Sequence, residues 1–410
     1  MKLTLCKIVL LWNLIIIISV FSHSQDLSET FDVICRWKQL EFQNVPNDQG
    51  DIYIPYNNIP FGFARAPESN RIFVAINRVN PGVPSTVNYF YESECEHVEN
   101  PKLRPFPDYA TNSFQYNAGP EKIVSVYRLT VDSCNRLWFV DTGTLDYQPN
   151  SITIRNPTLW IMDLYTDTLI RRFSIPDALY ITNGLGFANI VVESEDCDNA
   201  YAYVSNYLTN ALLVYSFRDN DAWIFKHPFM NPVQGLGDMM LEGVSFDFTS
   251  GLFAMALSQS SPENRLLFFG SLAGIDEYAV PTTILKDQSL SSDKYNIDDF
   301  INIGSRGPNS QILVQQINSQ GILFYPEIQN QVIKCWNTRN PLTPENTAVV
   351  YRNNQTMVYG THVEIDKEDN IWVMSNRYPL YSFRSLDPND YNFFLVRGKN
   401  DVVRNTVCTL

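Results

Sequence analysis

The stretch DNIWVMSNRYP (369–379) contains a pattern that recurs along this chain and decides its fold. A polar turn is followed by a short apolar run with one aromatic residue, and the run ends in polar side chains. The same order occurs in SNRIFVAINR (69–78) and CNRLWFVDTG (134–143). A short apolar run between turn residues predicts a buried β-strand.

Three looser copies bring the number of repeats to six: DNAYAYVSNY (198–207), TSGLFAMALS (249–258) and SQGILFYPEI (319–328). Successive copies are 48 to 71 residues apart when aligned on Phe73, Trp138, Ala202, Phe253, Phe324 and Trp372. Several copies follow an acidic residue that would lie in the preceding turn, namely Asp132, Asp247 and Asp366. Repeated units of strands and turns at such a period are typical of blades around an axis.

Hairpins inside the repeats indicate how many strands each unit contains. Residues 157–175 and 210–227 each read as a strand, a polar turn and a returning strand. The sequence therefore predicts an all-β fold, a six-bladed β-propeller with four-stranded blades, and we place the quoted runs on the inner strands. Two β-sandwich domains are the alternative. They would not require six related copies, and no Pro/Gly/Ser-rich linker divides the chain.

The N-terminal residues have the pattern of a secretory signal. Lys2 and Lys7 precede an apolar run from Ile8 to Phe21, and the small residues Ser22 and Ser24 follow it. This run is shorter than the roughly 20 residues that cross a bilayer. We expect a signal peptide at 1–24 and a secreted, extracellular protein that forms a single propeller domain over 25–410. An uncleaved membrane anchor is the alternative.

Charge and composition limit the classes of partner that we expect for this protein. The net charge of −14 argues against a nucleic-acid or anionic-membrane partner. Aromatic residues make up 13% of the chain and 23 residues are proline, which favours strands and turns. There is no CxxC or HxxxH spacing, so we expect no structural zinc site. We also expect no bound metal and no cofactor. We expect a monomer.

Seven cysteines are present, and Cys6 lies in the predicted signal. The remaining six are Cys35, Cys95, Cys134, Cys197, Cys335 and Cys408. An even number in an oxidising compartment predicts disulfides, but six cysteines allow 15 pairings and the spacing does not choose among them. One sequon, Asn354-Gln355-Thr356, predicts a glycan on Asn354.

Long blocks of the sequence resemble the insect yellow / major royal jelly protein family over about residues 35 to 408. These blocks are GVPSTVNYF (82–90), SVYRLTVDSCNRLWFVDTG (125–143), AYAYVSNYLTNALLVYSFRDNDAWIFKH (200–227), VIKCWNT (332–338) and YGTHVEIDKEDNIWVMSNRYP (359–379). Three further segments, 50–60, 103–112 and 304–311, are similar to its dopachrome-converting branch. The resemblance implies a six-bladed propeller, in agreement with the repeat count.

The resemblance also implies two disulfides, Cys134 with Cys197 and Cys335 with Cys408. The common family pattern does not include Cys35 and Cys95. We predict that these two form a third bridge, because an unpaired thiol is disfavoured in a secreted protein.

Amine-binding members of the family place ligand contacts at positions that match Thr361, Asn376 and Tyr378. Thr and Asn exchange hydrogen bonds with a catechol or an amine, and Tyr stacks on an indole or catechol ring. The alternative is that Asn376 caps a turn and Tyr378 fills space between blades.

Three residues are candidates for acid–base catalysis. His362 would titrate near neutral pH, but in a strand it faces away from its neighbour Thr361. Asp141 and Glu327 follow apolar runs and could point to the channel mouth, or could bind adjacent turns. Motifs for hydrolytic nucleophiles, phosphate loops and zinc proteases are absent from the sequence.

The sequence is compatible with four functions. The resemblance implies a tautomerase acting on an aminochrome, dopachrome or dopaminechrome, in melanin or cuticle pigmentation, by proton transfer without a redox cofactor. The second function is a non-enzymatic binding protein for biogenic amines or catechols. The third is a calcium-dependent lactonase, because TNGLGF (182–187) is similar to a metal-binding step in such propellers. The fourth is a structural or developmental role without a small ligand.

Overall fold

The computed structural model describes residues 26–46, 53–97, 99–112, 119–147, 149–180, 184–291 and 294–409. These residues form six four-stranded antiparallel sheets arranged as the blades of a β-propeller, which confirms the predicted fold class. The predicted signal at 1–24 lies outside the described residues. No helix among the residues described is long and apolar enough to cross a membrane.

The blades follow one another along the chain, and the first strand of the chain belongs to the last blade. Strand β1 is Phe31–Trp37. Blade 1 contains β2 (Gly62–Ala66), β3 (Arg71–Ala75), β4 (Val87–Tyr91) and β5 (Arg104–Pro105). Blade 2 contains β6 (Val126–Val131), β7 (Arg136–Asp141), β10 (Thr158–Asp163) and β11 (Thr168–Ser174), with the hairpin β8 (Thr144–Leu145) and β9 (Ile152–Thr153) inserted. Blade 3 contains β12 (Phe187–Glu193), β13 (Tyr201–Asn206), β14 (Ala211–Ser216) and β15 (Asp221–Lys226).

The second half repeats this plan. The hairpin β16 (Asp238–Leu241) and β17 (Val244–Asp247) precedes blade 4, which contains β18 (Leu252–Leu257), β19 (Leu266–Ser271), β20 (Asp276–Pro281) and β21 (Ile301–Ser305). Blade 5 contains β22 (Gln316–Ile317), β23 (Ile322–Glu327), β24 (Val332–Asn337) and β25 (Thr347–Arg352). Blade 6 contains β26 (Tyr359–Ile365), β27 (Ile371–Asn376), β28 (Phe393–Gly398) and β1. The α-helices are short: α1 (Tyr109–Asn112), α2 (Thr282–Lys286) and α3 (Tyr378–Phe383).

Single 3-10 turns connect many of the strands. They are Pro55–Asn57, Pro67–Ser69, Glu92–Glu96, Asp177–Leu179, Gly184–Gly186, Cys197–Asn199, Pro228–Met230, Pro262–Asn264, Gln288–Leu290, Ile297–Asp299 and Pro344–Asn346.

The prediction that the quoted runs are inner strands is wrong for five of the six repeats. The first strands β2, β6, β12, β18, β22 and β26 contact one another in a closed ring and are therefore the inner strands. Five of the six aligned residues lie instead on the second strand of their blade, and Phe253 alone lies on a first strand, β18. Inner and second strands are both apolar runs, so composition does not distinguish them. The hairpins predicted at 157–175 and 210–227 are confirmed as β10–β11 and β14–β15.

Each pair of neighbouring blades encloses its own apolar core. Representative members are Phe73 and Phe139 between blades 1 and 2, Trp138 and Val204 between blades 2 and 3, Leu212 and Phe269 between blades 3 and 4, Phe268 and Trp336 between blades 4 and 5, Phe324 and Val373 between blades 5 and 6, and Trp372 and Phe63 between blades 6 and 1. Successive side chains of a strand point to opposite faces, so Trp138 and Phe139 enter different cores. Every blade therefore needs both neighbours, and the ring must close.

The acidic residues before two of the repeats hold the turn between the first and second strands. Asp132 accepts hydrogen bonds from the backbone N–H groups of Cys134 and Arg136 at 2.9 Å each, and from the Nε1 of Trp138 at 2.8 Å. Asp366 repeats this arrangement in blade 6 and accepts from the Nε1 of Trp372 at 2.8 Å. Asp247 does not, because it ends β17 and accepts from the Thr249 hydroxyl.

The ring closes when β1 pairs with β28, and disulfides hold both chain ends. Cys35 in β1 is bonded to Cys95 in the 3-10 turn of blade 1, which confirms the predicted third bridge. The implied pair of Cys134 and Cys197 is present as well. Cys335 in β24 is bonded to Cys408, so the C-terminal segment is tied to blade 5.

Removing the Cys35–Cys95 bridge should destabilise the protein without changing its fold. The bridge links the strand that closes blade 6 to blade 1, across a sequence separation of 60 residues. Disulfides that close loops of this size typically add about 2–4 kcal/mol. We expect the double substitution Cys35→Ser and Cys95→Ser to lower the free energy of unfolding by about that amount, measured by urea denaturation. An unchanged midpoint of unfolding would contradict this expectation.

Candidate functional site

One cavity of about 330 Å³ opens at the end of the central channel where the inner strands begin. Its wall takes side chains from several blades, including Tyr127 and Arg128 of β6, Phe253 of β18 and Tyr359 of β26. The β16–β17 hairpin and α3 stand beside the opening, where Phe246 packs against Phe383 with ring centroids 5.9 Å apart. The cavity therefore forms only when the blades come together.

Aromatic rings make up much of the cavity wall. Phe61 packs edge-on against Tyr127 at 5.7 Å and against Tyr378 at 4.9 Å between ring centroids. Tyr378 in turn stacks on Phe248 at 6.2 Å. These rings offer faces and edges to a flat, conjugated ligand.

A carboxyl group and a tyrosine hydroxyl meet in this aromatic wall. The Tyr127 hydroxyl donates to Oδ2 of Asp146 at 2.8 Å. Burial raises the pKa of Tyr127 well above its usual value, and the nearby Tyr207 and Asp146 raise it further. Asp146 is the one carboxylic acid, and no histidine is present, among the described residues that line the cavity. The pair can pass a proton to or from a bound ligand.

A buried arginine lies on the same wall. Arg128 is 3% exposed and donates to the carbonyl oxygen of Thr361 from Nε at 3.2 Å and from Nη2 at 2.6 Å. β-Bulges displace both residues from their strand ladders, between Val126 and Leu129 and between Gly360 and His362. The Thr361 carbonyl is thereby available to the guanidinium.

Gly62, the first residue of β2, makes room for Arg128. A Cβ atom at this position would lie 3.0 Å from both Cα and Cγ of Arg128 and 3.1 Å from the Tyr127 carbonyl oxygen. A side chain at position 62 would therefore crowd the arginine and its backbone at the inner end of blade 1.

Two of the three predicted ligand contacts line the cavity. They are Thr361, which is fully buried on β26, and Tyr378, which begins α3. Asn376 is not among the residues that line it, because its side chain is turned to the backbone on either side. Its Nδ2 donates to the Pro60 carbonyl at 2.7 Å, and its Oδ1 accepts from the Tyr378 backbone N–H at 2.9 Å. Asn376 thus positions Tyr378 and the segment before Phe61.

His362 faces the channel interior, away from the main cavity. It is 7% exposed, packs edge-on against Phe63 at 5.2 Å, and lies beside a small void of about 30 Å³ between the inner strands. Burial lowers the pKa of His362 well below its usual value, and the charge of Arg128 lowers it further. A neutral imidazole at this place packs in the channel and has no access to a ligand in the main cavity.

The depressed pKa of His362 should appear in the pH dependence of stability. The unfolded state takes up a proton below pH 6.5 and the folded state does not, so this group destabilises the fold as the pH falls. We expect His362 to account for up to about 2 kcal/mol of the stability lost between pH 8 and pH 5. Urea denaturation at both pH values should show a smaller loss for His362→Asn than for the wild type. Equal losses would contradict the expectation.

The other two acid–base candidates are held in structural contacts. Asp141 is fully buried, accepts from the backbone N–H groups of Val124 and Ser125, and pairs with Arg155 at 2.7 Å. Glu327 is 1% exposed and pairs with Lys334 at 3.1 Å. Neither carboxylate lines the main cavity, because both side chains turn to neighbouring loops and strands.

The remaining predicted sites are on the periphery or outside the described residues. Asn354 is exposed in the turn after β25, a position open to glycosylation. Asn183 of the TNGLGF segment lies outside the described residues. No cluster of three or more His, Cys, Asp and Glu side chains suited to a metal occurs in the part of the chain that is described.

The sequence reasoning missed Arg128 and Asp146. Arg128 interrupts an apolar strand in SVYRLTV (125–131), and a charged residue inside a core strand is a recognisable signal. Asp146 carries no such signal, because it lies after a short strand in an irregular segment.

Comparison with known proteins decides the family. The sequence model described as "Major royal jelly protein" matches residues 124–408. The chain is 34% identical over 404 residues to "L-dopachrome tautomerase yellow-f" of Drosophila melanogaster, which covers 92% of this chain and 93% of that protein. The chain belongs to the major royal jelly protein family. The resemblance carried by the long sequence blocks is thereby confirmed.

This family member is also similar to "Protein yellow" of Drosophila melanogaster, with 34% identity over 419 residues that cover 97% of this chain and 74% of that protein. Among solved structures, a structural genomics protein of unknown function from Bacteroides thetaiotaomicron VPI-5482 matches with a TM-score of 0.50. It is 9% identical and covers 89% of this chain and 75% of that chain. Similarity at this level concerns the fold alone.

Proposed function

We propose that this family member is a tautomerase of aminochromes such as L-dopachrome. The observation that carries the proposal is the Tyr127–Asp146 pair in an aromatic cavity, in a chain 34% identical to an L-dopachrome tautomerase over most of both lengths. The aromatic side chains offer surfaces on which the indoline ring of an aminochrome can stack, and the Asp146 carboxyl supplies a group that can accept a proton.

The reaction needs only proton transfers. L-dopachrome is a 2,3-dihydroindole-5,6-quinone with a carboxylate on carbon 2. Tautomerisation removes one proton each from carbons 2 and 3, moves the electron pairs into the ring, and adds two protons at the quinone oxygens. Product and substrate are isomers, so no oxidant or reductant is consumed. Asp146 takes a ring proton as general base, and the Tyr127 hydroxyl stabilises its carboxylate and shares the proton.

A direct assay tests the proposal. Purified mature protein is mixed with freshly prepared L-dopachrome, and the loss of the quinone absorbance is followed against a buffer blank and against heat-denatured protein. We expect decay well above the uncatalysed rate, with the isomeric dihydroxyindole carboxylic acid as product by chromatography. Decay at the blank rate, for L-dopachrome and for dopaminechrome, would rule the activity out.

The second candidate is a binding protein for biogenic amines or catechols without turnover. It is favoured by the position of the Asp146 carboxyl beside the Tyr127 ring, since a carboxylate and aromatic faces together attract an ammonium group. Calorimetry with dopamine and serotonin separates the two functions. Tight binding of an amine by protein that leaves L-dopachrome unconverted would select this candidate.

Export to the extracellular space belongs to the same proposal. All six cysteines of the predicted mature chain are paired in disulfides. Such bridges persist in oxidising compartments, which supports the expected signal at 1–24. A cuticle or melanin pathway would meet the protein there.

A further inference from the structure

The charge of Arg128 is not neutralised within the protein. Its guanidinium donates to one backbone carbonyl, that of Thr361, through Nε and Nη2. No carboxylate among the described residues forms an ion pair with it, and Nη1 has no hydrogen bond within the same set of residues. Several other buried arginines of the propeller do have such partners, for example Arg306 with Glu277 at 2.6 Å and Arg136 with Asp132 at 2.7 Å.

An uncompensated buried cation is costly, and proteins normally pair it. Burial lowers the pKa of Arg128 to about 10, so the side chain remains charged at neutral pH. The guanidinium carbon lies 4.9 Å from the centroid of the Phe253 ring, a contact that offsets part of this cost but supplies no negative charge. The fold holds the cation in place by two β-bulges and by the glycine at position 62.

The missing partner is best supplied by the ligand. We propose that Arg128 binds the carboxylate of the substrate, so that the cavity selects aminochromes with a carboxylate on carbon 2 over those without one. This inference rests on the proposed function, since it names which aminochromes that activity accepts.

The surroundings fit a substrate of this kind. A guanidinium forms strong, directional hydrogen bonds with a carboxylate, and these bonds are stronger in a site that excludes water. The aromatic wall accepts the ring, and Asp146 stands on the same cavity without pairing with Arg128. One end of the ligand is thus held by charge, and the proposed acid–base group lies on the same cavity wall. Arg128 is a specificity-determining residue in this arrangement, and Asp146 acts on the reacting atoms.

The test compares two substrates that differ by the carboxylate. Values of kcat/KM are measured for L-dopachrome and dopaminechrome with the wild type, Arg128→Gln and Arg128→Lys. We expect the wild type to prefer L-dopachrome. Arg128→Gln should lose about ten- to hundredfold on L-dopachrome and less than about threefold on dopaminechrome, because one charged hydrogen-bonded contact is removed. The kcat/KM of Arg128→Lys for L-dopachrome should lie between the values of the wild type and Arg128→Gln. Arg404→Gln, which changes an exposed arginine that does not line the cavity, is the matched control and should leave both values unchanged.

Equal losses on both substrates, or an unchanged preference, would overturn the inference while leaving the tautomerase activity standing. Absence of turnover in the wild type would instead refute the proposed function. A binding measurement then decides the role of Arg128 without turnover and without a variant. By calorimetry, indole-2-carboxylate should bind the wild type at least about tenfold more tightly than indole. Equal affinities for the two probes would refute carboxylate binding.

Discussion

Asp146→Asn should lower kcat for L-dopachrome by at least about a hundredfold. A positioned general acid or base typically contributes about 10²- to 10⁴-fold, and the described cavity wall offers no other carboxylic acid or histidine to replace it. Asparagine has nearly the same shape and still accepts a hydrogen bond from Tyr127, so the geometry of the wall is retained. The loss should therefore appear in kcat much more than in KM. Stopped-flow absorbance under saturating substrate measures it.

Two controls separate this effect from misfolding. Tyr127→Phe keeps the carboxylate and removes the hydroxyl that donates to it, and we expect a smaller loss of about tenfold. Binding of indole-2-carboxylate to Asp146→Asn should match the wild type, because Arg128 is untouched. If Asp146→Asn turns over L-dopachrome at the wild-type rate, Asp146 is not the acid–base group and the proton must move elsewhere.

Asp132→Ala should lower the free energy of unfolding by about 3–5 kcal/mol. Asp132 has a fully buried carboxylate that pairs with Arg136 at 2.7 Å and accepts from the Trp138 indole at 2.8 Å. Alanine leaves the arginine charge and the indole N–H buried without their partner. It also removes the acceptor for two backbone N–H groups in the turn before β7. Urea denaturation at pH 7 with disulfides intact measures the change.

Asp401→Ala is the matched control. Its carboxylate is 51% exposed and lies 3.6 Å from the exposed Arg404, so its removal should cost less than about 1 kcal/mol. A loss for Asp132→Ala as small as this would mean that solvent or a local rearrangement satisfies Arg136 and Trp138. The turn carboxylate would then not be a main stabilising contact of blade 2.

The repeat unit could be predicted because each copy is a local pattern. A turn, an apolar run and a hairpin are encoded in consecutive residues, as in β10–β11 and β14–β15. Six copies without a linker then implied six blades. The strand assignment within a blade could not be predicted in this way. Inner and second strands are both buried on two sides in the closed ring, so their sequences look alike, and Phe253 was aligned with residues of a different strand.

Part of the candidate site could also be predicted, because some of its residues belong to one local motif. Thr361 and Tyr378 came from a family motif within one blade, and both line the cavity. Asn376 belongs to the same motif but supports Tyr378 through a backbone hydrogen bond. Sequence spacing alone does not reveal that difference, because it depends on where the segment before Phe61 passes.

The repeat, the number of blades and the family could therefore be read from the amino-acid sequence alone, since these are properties of segments a few tens of residues long. Only the tertiary structure brought together Arg128 and the Thr361 carbonyl, which are 233 residues apart. Only it showed that Arg128 has no carboxylate partner among the described residues while Asp146 lies on the same cavity wall. These contacts form only when the ring of blades closes and brings distant inner strands together. No local sequence pattern encodes such long-range contacts.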